Sequence, residues 1–377
     1  MKVSVATKKL LSLSMLAGVG PAALKKVASV PDFEILSVED LALACVPLRK
    51  ALSSSGAWEL ASEQADVQVE LADKHESRII SALDFEYPPL LMATKDDPFI
   101  IFVRGKLYSE SQRSVAIIGT REPTRHGEII ARRITEFFVD NHWSVVSGLA
   151  LGCDGIAHKA AIEAGGHTVA VLAHGLQMIA PSQHRKLAEE IVESGGALIS
   201  EYPFGQKVFS QQFVKRDRIQ AGLAQGVVMI QSDIKGGSLH ASRAALDYGR
   251  WLAVPLPTST DRKNEEPKIM ANLLITEGDW VDKANLLKCK KDRLNDVLVL
   301  RARDDYPGML SHASLSMLGE DESKSDNLLP AGGLGSSKEQ VSHSGNVVGA
   351  VEGSDKINNG GESASSVDSL THQNSLL

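Results

Sequence analysis

The sequence predicts a doubly wound, mostly parallel α/β domain, preceded by a small helical domain and followed by a disordered tail. Three observations carry this reading. Short apolar runs recur from Ser114 onward, amphipathic stretches alternate with them, and the pattern fades after about Lys288. Runs of four or five apolar residues suit strands buried on both faces, and alternation with helices implies a parallel sheet wrapped on both sides. The 377 residues, 43% of them apolar, allow roughly two to three domains and a sizeable core. No apolar run approaches the ~20 residues of a membrane helix, so the expectation is of no membrane role.

Residues 1–80 read as short helices, with Leu10, Leu11, Leu13 and Leu16, then Leu24 and Val27, then Leu36, Leu41, Leu43 and Leu48 at helical spacings. Lys2, Lys8 and Lys9 ahead of Leu10–Val19 imitate a secretory leader. Ser12 and Ser14 interrupt that run, and Gly18-Val19-Gly20-Pro21 stands where a cleavage site would be, so folded helix is the preferred reading. Leu16–Leu24 has the form of a helix–hairpin–helix turn, which can meet a DNA phosphate or serve packing alone. Residues 81–113 form a connector carrying Tyr87-Pro88-Pro89 and the apolar run Phe99–Val103.

In residues 114–288 the expected strands are Val115–Ile118, Trp143–Val146, Thr168–Leu172, Ala197–Ile199, Val227–Ile230 and Trp251–Val254. The expected helices are His126–Asn141, Asp154–Ala164, His184–Ser194, Arg216–Ala224 and Ser238–Gly249. A ligand crevice is expected beyond the carboxyl ends of the strands. Residues 289–318 are an uncertain extension in which Leu294–Leu300 could add an element. From about Gly319 the chain is Ser, Gly, Asn and acid, too poor in large apolar residues to fix itself.

Net charge is −7, but three lysines against nine acids from Gly319 onward account for −6 of it. Ile100–Lys288 holds 22 basic and 20 acidic residues, which leaves room for a local basic stripe and a polyanionic partner. Cys45, Cys153 and Cys289 lie far apart, which argues against a disulfide framework or cysteine-built metal site and points to a reducing cytoplasm.

Four segments could carry chemistry. After the first strand, Gly119-Thr120-Arg121 offers a tight turn, a hydroxyl and a guanidinium, which suits a phosphate and equally a plain turn with a solvated arginine. After the second come Ser147 and Gly148, then Gly152 and Asp154. These make an anion-friendly amide cluster, in which Asp154 is read as a helix cap and His158 as a buried, hydrogen-bonded residue rather than a ligand. Phe204, Lys207, Phe209, Phe213, Lys215, Arg216 and Arg218 interleave rings and cations as single-stranded nucleic acid requires, or place three core rings beside a solvated face. Lys235-Gly236-Gly237-Ser238 opens a further helix with small residues. No catalytic residue, metal or cofactor is assigned.

Together these pieces resemble the DNA-processing protein A family (DprA, also called Smf) from about Leu10 to Lys283. The resemblance rests on Val115–Thr124, Val146–Ala150 with Gly152 and Asp154, and Ala170-Val171-Leu172 with Gly175-Leu176. It continues in Ser200-Glu201-Tyr202-Pro203, Phe213 with Arg216 and Arg218–Leu223, and Gly237-Ser238-Leu239. It implies a Rossmann-like domain that binds and shields single-stranded DNA without cutting it, loads RecA recombinase during natural transformation and recombination, and works as a homodimer. Gly119, Thr120 and Arg121 would take phosphate, with Phe213, Arg216 and Arg218 along the strand. Ser147, Gly148, Gly237 and Ser238 would share the crevice, flanked by Lys215 and Lys235. Asp217 stands where the family usually has Asn, and a carboxylate on a phosphate track weakens binding unless an arginine pairs with it. The rival expectation is a nucleotide-hydrolysing enzyme of the phosphoribohydrolase type. Those enzymes carry a glutamate after a glycine-rich loop, and Lys235–Ser242 has none; Asp233 and Asp247 are the acids in range.

Overall fold

The structure, a computed structural model, describes residues 3–108 and 113–312. The expected disordered tail and the last residues of the extension lie outside the described residues.

Nine strands form one sheet among the described residues: β1 (Ser77–Ser81), β2 (Ile100–Gly105), β3 (Ser114–Ile118), β4 (Ser144–Ser147), β5 (Thr168–Leu172), β6 (Ala197–Ser200), β7 (Gly226–Met229), β8 (Trp251–Pro255) and β9 (Val297–Leu300), in the order β1-β2-β6-β5-β4-β3-β7-β8-β9. From β6 to β9 all neighbours are parallel. The six expected strands are present. Three further strands join the sheet: β1, at the end of the stretch read as helical, and β2, from the connector, pair antiparallel and continue from β6, and β9, within the possible element Leu294–Leu300, pairs parallel with β8. The apolar residues of Ile100–Val103 are buried on the flank of β6, where they hide an edge that would otherwise be open.

Among the described residues, fourteen α-helices accompany the sheet. They are α1 (Val5–Met15), α2 (Pro21–Ala28), α3 (Val38–Ala44), α4 (Val46–Ala51), α5 (Ala57–Lys74), α6 (Pro89–Met92), α7 (Arg125–Asp140), α8 (Cys153–Glu163), α9 (Arg185–Glu193), α10 (Ser210–Gly222), α11 (Ser238–Asp247), α12 (Ser259–Lys263), α13 (Met270–Glu277) and α14 (Trp280–Leu287). The period-two geometry of β3 divides its side chains between two cores. Val115 and Ile117 meet Ile134 and Phe138 of α7, Ala157 of α8 and Trp251. Ala116 and Ile118 meet Ile219 of α10, Leu239 of α11 and Ala271 of α13.

Helix α1 is capped by Ser4, whose side chain accepts from the Thr7 amide, and it buries Leu10, Leu11 and Leu13. Ser4 Oγ also donates to Asp84 Oδ1 (2.6 Å), tying α1 to the segment after β1. The Lys9 ammonium donates to the carbonyls of Phe33 (2.6 Å) and Leu36 (2.6 Å), closing the loop before α3. Between α1 and α2, Gly18 takes φ +80°, a value that favours glycine, and Pro21 opens α2. No described helix is long and apolar enough to cross a membrane.

From β3 the chain moves outward through β4, β5 and β6, then returns to the other side of β3 through β7, β8 and β9. The switch point therefore lies between the carboxyl ends of β3 and β7, where open α/β sheets place their ligands.

Candidate functional site

A pocket of about 680 Å³ opens at that switch point. Its walls come from the β3–α7 loop (Gly119, Thr120, Arg121, Glu122), the start of α8, the first three turns of α10, and the β7–α11 loop with Gly236, Gly237 and Ser238. The Thr120 amide donates to the Gln231 carbonyl (2.8 Å), and the Cys153 amide donates to the Thr120 carbonyl (3.1 Å), so the three loops are laced together. Close approach explains two glycines. A Cβ on Gly119 would stand 2.5 Å from Cys153 Sγ, and one on Gly152, itself at φ +75°, would stand 2.5 Å from the Arg121 and Thr120 carbonyls.

Helix α10 begins earlier than expected, at Ser210, because the Gln212 side chain accepts from the Phe209 amide (2.8 Å) and fixes its first turn. It faces the pocket with Phe213, Arg216, Asp217 and Gln220, the i, i+3, i+4, i+7 stripe of one helical face. The Arg121 guanidinium lies over the Phe213 ring (5.7 Å to its centroid), joining the β3 loop to α10. No side chain caps α11, whose amino end opens on the pocket between Gly237 and Ser238.

The twelve residues singled out from sequence divide. Gly119, Thr120, Arg121, Phe213, Arg216, Gly237 and Ser238 line the one pocket. Ser147 does not: it is fully buried and donates to the Ile117 carbonyl (2.6 Å), joining β4 to β3. Gly148 lies behind the wall, where a Cβ would fall 1.6 Å from Arg216 Nη1, so its missing side chain makes room for the guanidinium. Arg218 is two residues, some 200°, around the helix from Arg216. It pairs with Glu201 (2.6 Å) and Asp96 (3.7 Å) away from the pocket, which corrects its expected place on a phosphate track. Lys215 and Lys235 are exposed but outside the lining. Among the rings, Phe204 is core, stacked on His75 and edge-on to Phe102, whereas Phe209 is 56% exposed.

Arg216 is the largest departure from expectation. It is only 3% exposed, donates from Nη1 to the Val171 carbonyl (2.9 Å), and holds Nε 3.3 Å from Asp217 Oδ1. It reaches the pocket from within the wall. Asp154 is not the helix cap, which is Gly152. Its carboxylate instead accepts from the amides of Gly148 (3.1 Å) and Ala150 (3.4 Å), bracing the loop before α8. Burial pushes the Asp154 carboxyl upward, opposed by Arg216, and pushes Asp217 up to about 7, again opposed by Arg216. His158 bonds Thr168 Oγ1 through Nδ1 (2.7 Å), and burial pushes it down to about 3, so it is a neutral core residue. Lys268 also lines the pocket; it sits in an acidic stretch after Glu265 and Glu266, and no motif announced it. Among the described residues no cluster of three or more metal-ligating side chains occurs.

The family model for DNA recombination-mediator protein A matches residues 78–287, more than half of the chain and all of the pocket. The chain belongs to that family. Protein Smf of Escherichia coli is 37% identical over 210 residues, which are 55% of this chain and 53% of Smf. The DNA processing protein DprA of Bacillus subtilis is 38% identical over 172 residues, 45% of this chain and 58% of that protein. The chain thus spans under two thirds of the length of these relatives. The crystal structure of DprA from Streptococcus pneumoniae superposes with a TM-score of 0.56 at 25% identity, covering 73% of this chain and 99% of that one.

Proposed function

We propose that the pocket and its rim hold single-stranded DNA through its phosphates, in the service of recombination. The convergence of Gly119-Thr120-Arg121, the Phe213–Gln220 face of α10 and the open amino end of α11 on one pocket carries the reading. Backbone amides and the guanidinium suit phosphate oxygens, and Phe213 with exposed Phe209 offers ring faces to unpaired bases. Lys215 and Lys235 flank the pocket and would attract the backbone over a longer path. Membership in a recombination-mediator family supports assigning RecA recombinase as the protein partner, and a homodimer is proposed as the working form on the family resemblance alone. Three unpaired cysteines fit a cytoplasmic setting.

The rival, nucleotide hydrolysis, requires a general acid or base poised over a glycosidic bond. Of the two acids near the glycine-rich loop, Asp247 is engaged by Lys95 (2.5 Å) outside the pocket lining, and Asp233, although it lines the pocket, is tied to the Lys235 amide (2.6 Å). Glu122 and Asp217 also line the pocket, so the assay for free base decides for or against the rival. Titrating the full chain with a labelled single-stranded oligonucleotide at two salt concentrations, with duplex as control, tests the reading. Binding should be strand-selective, indifferent to sequence and steeply weakened by salt. Equal affinity for duplex, or none at low salt, would refute it; release of free base from nucleoside monophosphates would favour the rival.

A further inference from the structure

We propose that Asp217 sets the pocket's affinity by competing with the entering phosphate for Arg216, so that the site takes up a proton together with its anion. This rests on the reading of the pocket as a phosphate site. One buried guanidinium acts on two carboxylates of the pocket lining: Asp217, whose Oδ1 lies 3.3 Å from Nε, and Asp154, braced on the Gly148 and Ala150 amides, which it influences as a nearby charge. With both ionised, the trio carries one net negative charge in a low-dielectric wall, which opposes an anion. Arg216 Nε is buried and has no well-formed hydrogen bond, although Asp217 Oδ1 lies 3.3 Å away. The guanidinium thus keeps a donor whose nearest acceptor is the Asp217 carboxylate.

The proton belongs on Asp217. Asp154 accepts two backbone N–H bonds, which favour its charged form, whereas Asp217 accepts one, from the neutral Gln220 side chain (3.0 Å). Charged and titratable groups surround Asp217 on several sides. Arg121 faces it from the β3 loop and Asp154 from α8, while α11 presents Ser238 and Ala241 across the pocket. The His240 and Arg243 side chains of α11 lie toward Lys288 and Leu286, and neither β5 nor α6 bears a charged residue. His158 and His174, on the Arg216 side, are both held neutral by burial. Glu122, Asp233 and Lys268 line the same pocket. Burial already brings Asp217 to about 7 in the empty pocket, so an incoming anion shifts it within an accessible range.

The test uses the full chain and an oligo-dT strand, 5′-hydroxyl and labelled with a pH-insensitive dye, at fixed ionic strength from pH 5.5 to 8.5. Wild-type affinity should fall as pH rises past 7, approaching tenfold per unit, the limit for one proton. Asp217→Asn should flatten that dependence and bind on the order of tenfold tighter at pH 8, with the two proteins alike at pH 5.5. Asp217→Ser serves as a second neutral variant should the first disturb the helix. Calorimetry at pH 7 in buffers of different ionisation enthalpy should show proton uptake by the wild type and little by the variants. Parallel pH profiles with equal proton uptake would overturn this inference and leave the phosphate site standing. Absence of binding by all three proteins at every pH would overturn the phosphate site itself, and the inference with it.

Discussion

Arg121 and Arg216 both line the pocket, yet their surroundings assign them different work. Arg121 is exposed and rests on Phe213, so its charge is available and its loss leaves no cavity. Arg121→Ala should weaken single-stranded DNA binding by about 1–3 kcal/mol, with the thermal midpoint almost unchanged; fluorescence anisotropy and thermal melting check the pair of outcomes. Arg216 is internal, and its removal takes a nearby positive charge from buried Asp154 and half-buried Asp217. Arg216→Ala should cost about 3–5 kcal/mol of stability, read from the urea midpoint, so lost binding in that variant is partly lost fold. A glutamate there would add a third carboxylate and should prevent folding, so Arg121 is the cleaner probe. Asp217 has a stability consequence even without ligand. Between the ordinary carboxylate value near 4 and about 7, the folded chain retains a proton that the unfolded chain has released, so stability falls as pH rises through that window and stays low above it. Asp217→Asn should therefore raise the melting temperature at pH 8 by on the order of 5 °C and change it far less at pH 4.

At the scale of elements, the site is a set of loops held by glycines and crossed hydrogen bonds. Gly152 combines a left-handed backbone with contact on the Thr120 and Arg121 carbonyls, so Gly152→Ala should push the α8 amino end away from the β3 loop. The expected result is a loss of about 1–3 kcal/mol in stability together with weakened strand binding, measured by chemical unfolding and titration. The strands and most helices were legible because strand burial on both faces writes continuous apolar runs, and helices write a 3.6-residue period. The face of α10 was legible in principle too: Phe213, Arg216, Asp217 and Gln220 share the helical stripe, while Arg218 falls off it. Interleaved cations and rings masked that geometry, because a linear reading counts residues without rotating them around the helix axis. The roles of β1, β2 and β9 were harder to see, since β2 pairs with β6 far along the chain and β9 with β8 across α12, α13 and α14, connections that no local pattern announces.

For the whole molecule, the formal charge of −7 is a poor guide to its partner, because recognition depends on where cations stand. Arg121 and Lys268 line the pocket, and Lys215 and Lys235 flank it. About three to four phosphate contacts on a single strand imply a slope near −2 to −3 for log affinity against log salt. A slope near zero in the titration would mean that binding, if present, does not use these cations. The pocket is also assembled from residues as distant as Gly119 and Lys268, so it can form only when the sheet is complete from β3 through β8.

The sequence alone determined the α/β class, the order of most strands and helices, and the residue types able to meet a phosphate, because periodicity and local turn chemistry are properties of neighbouring residues. Only the tertiary structure decided which of those residues share a pocket, that Arg216 is interior and Arg218 occupied elsewhere, and that Asp154 and Asp217 both feel the Arg216 charge. Those facts depend on burial and on through-space charge, which act between elements that the fold, not the local sequence, brings together.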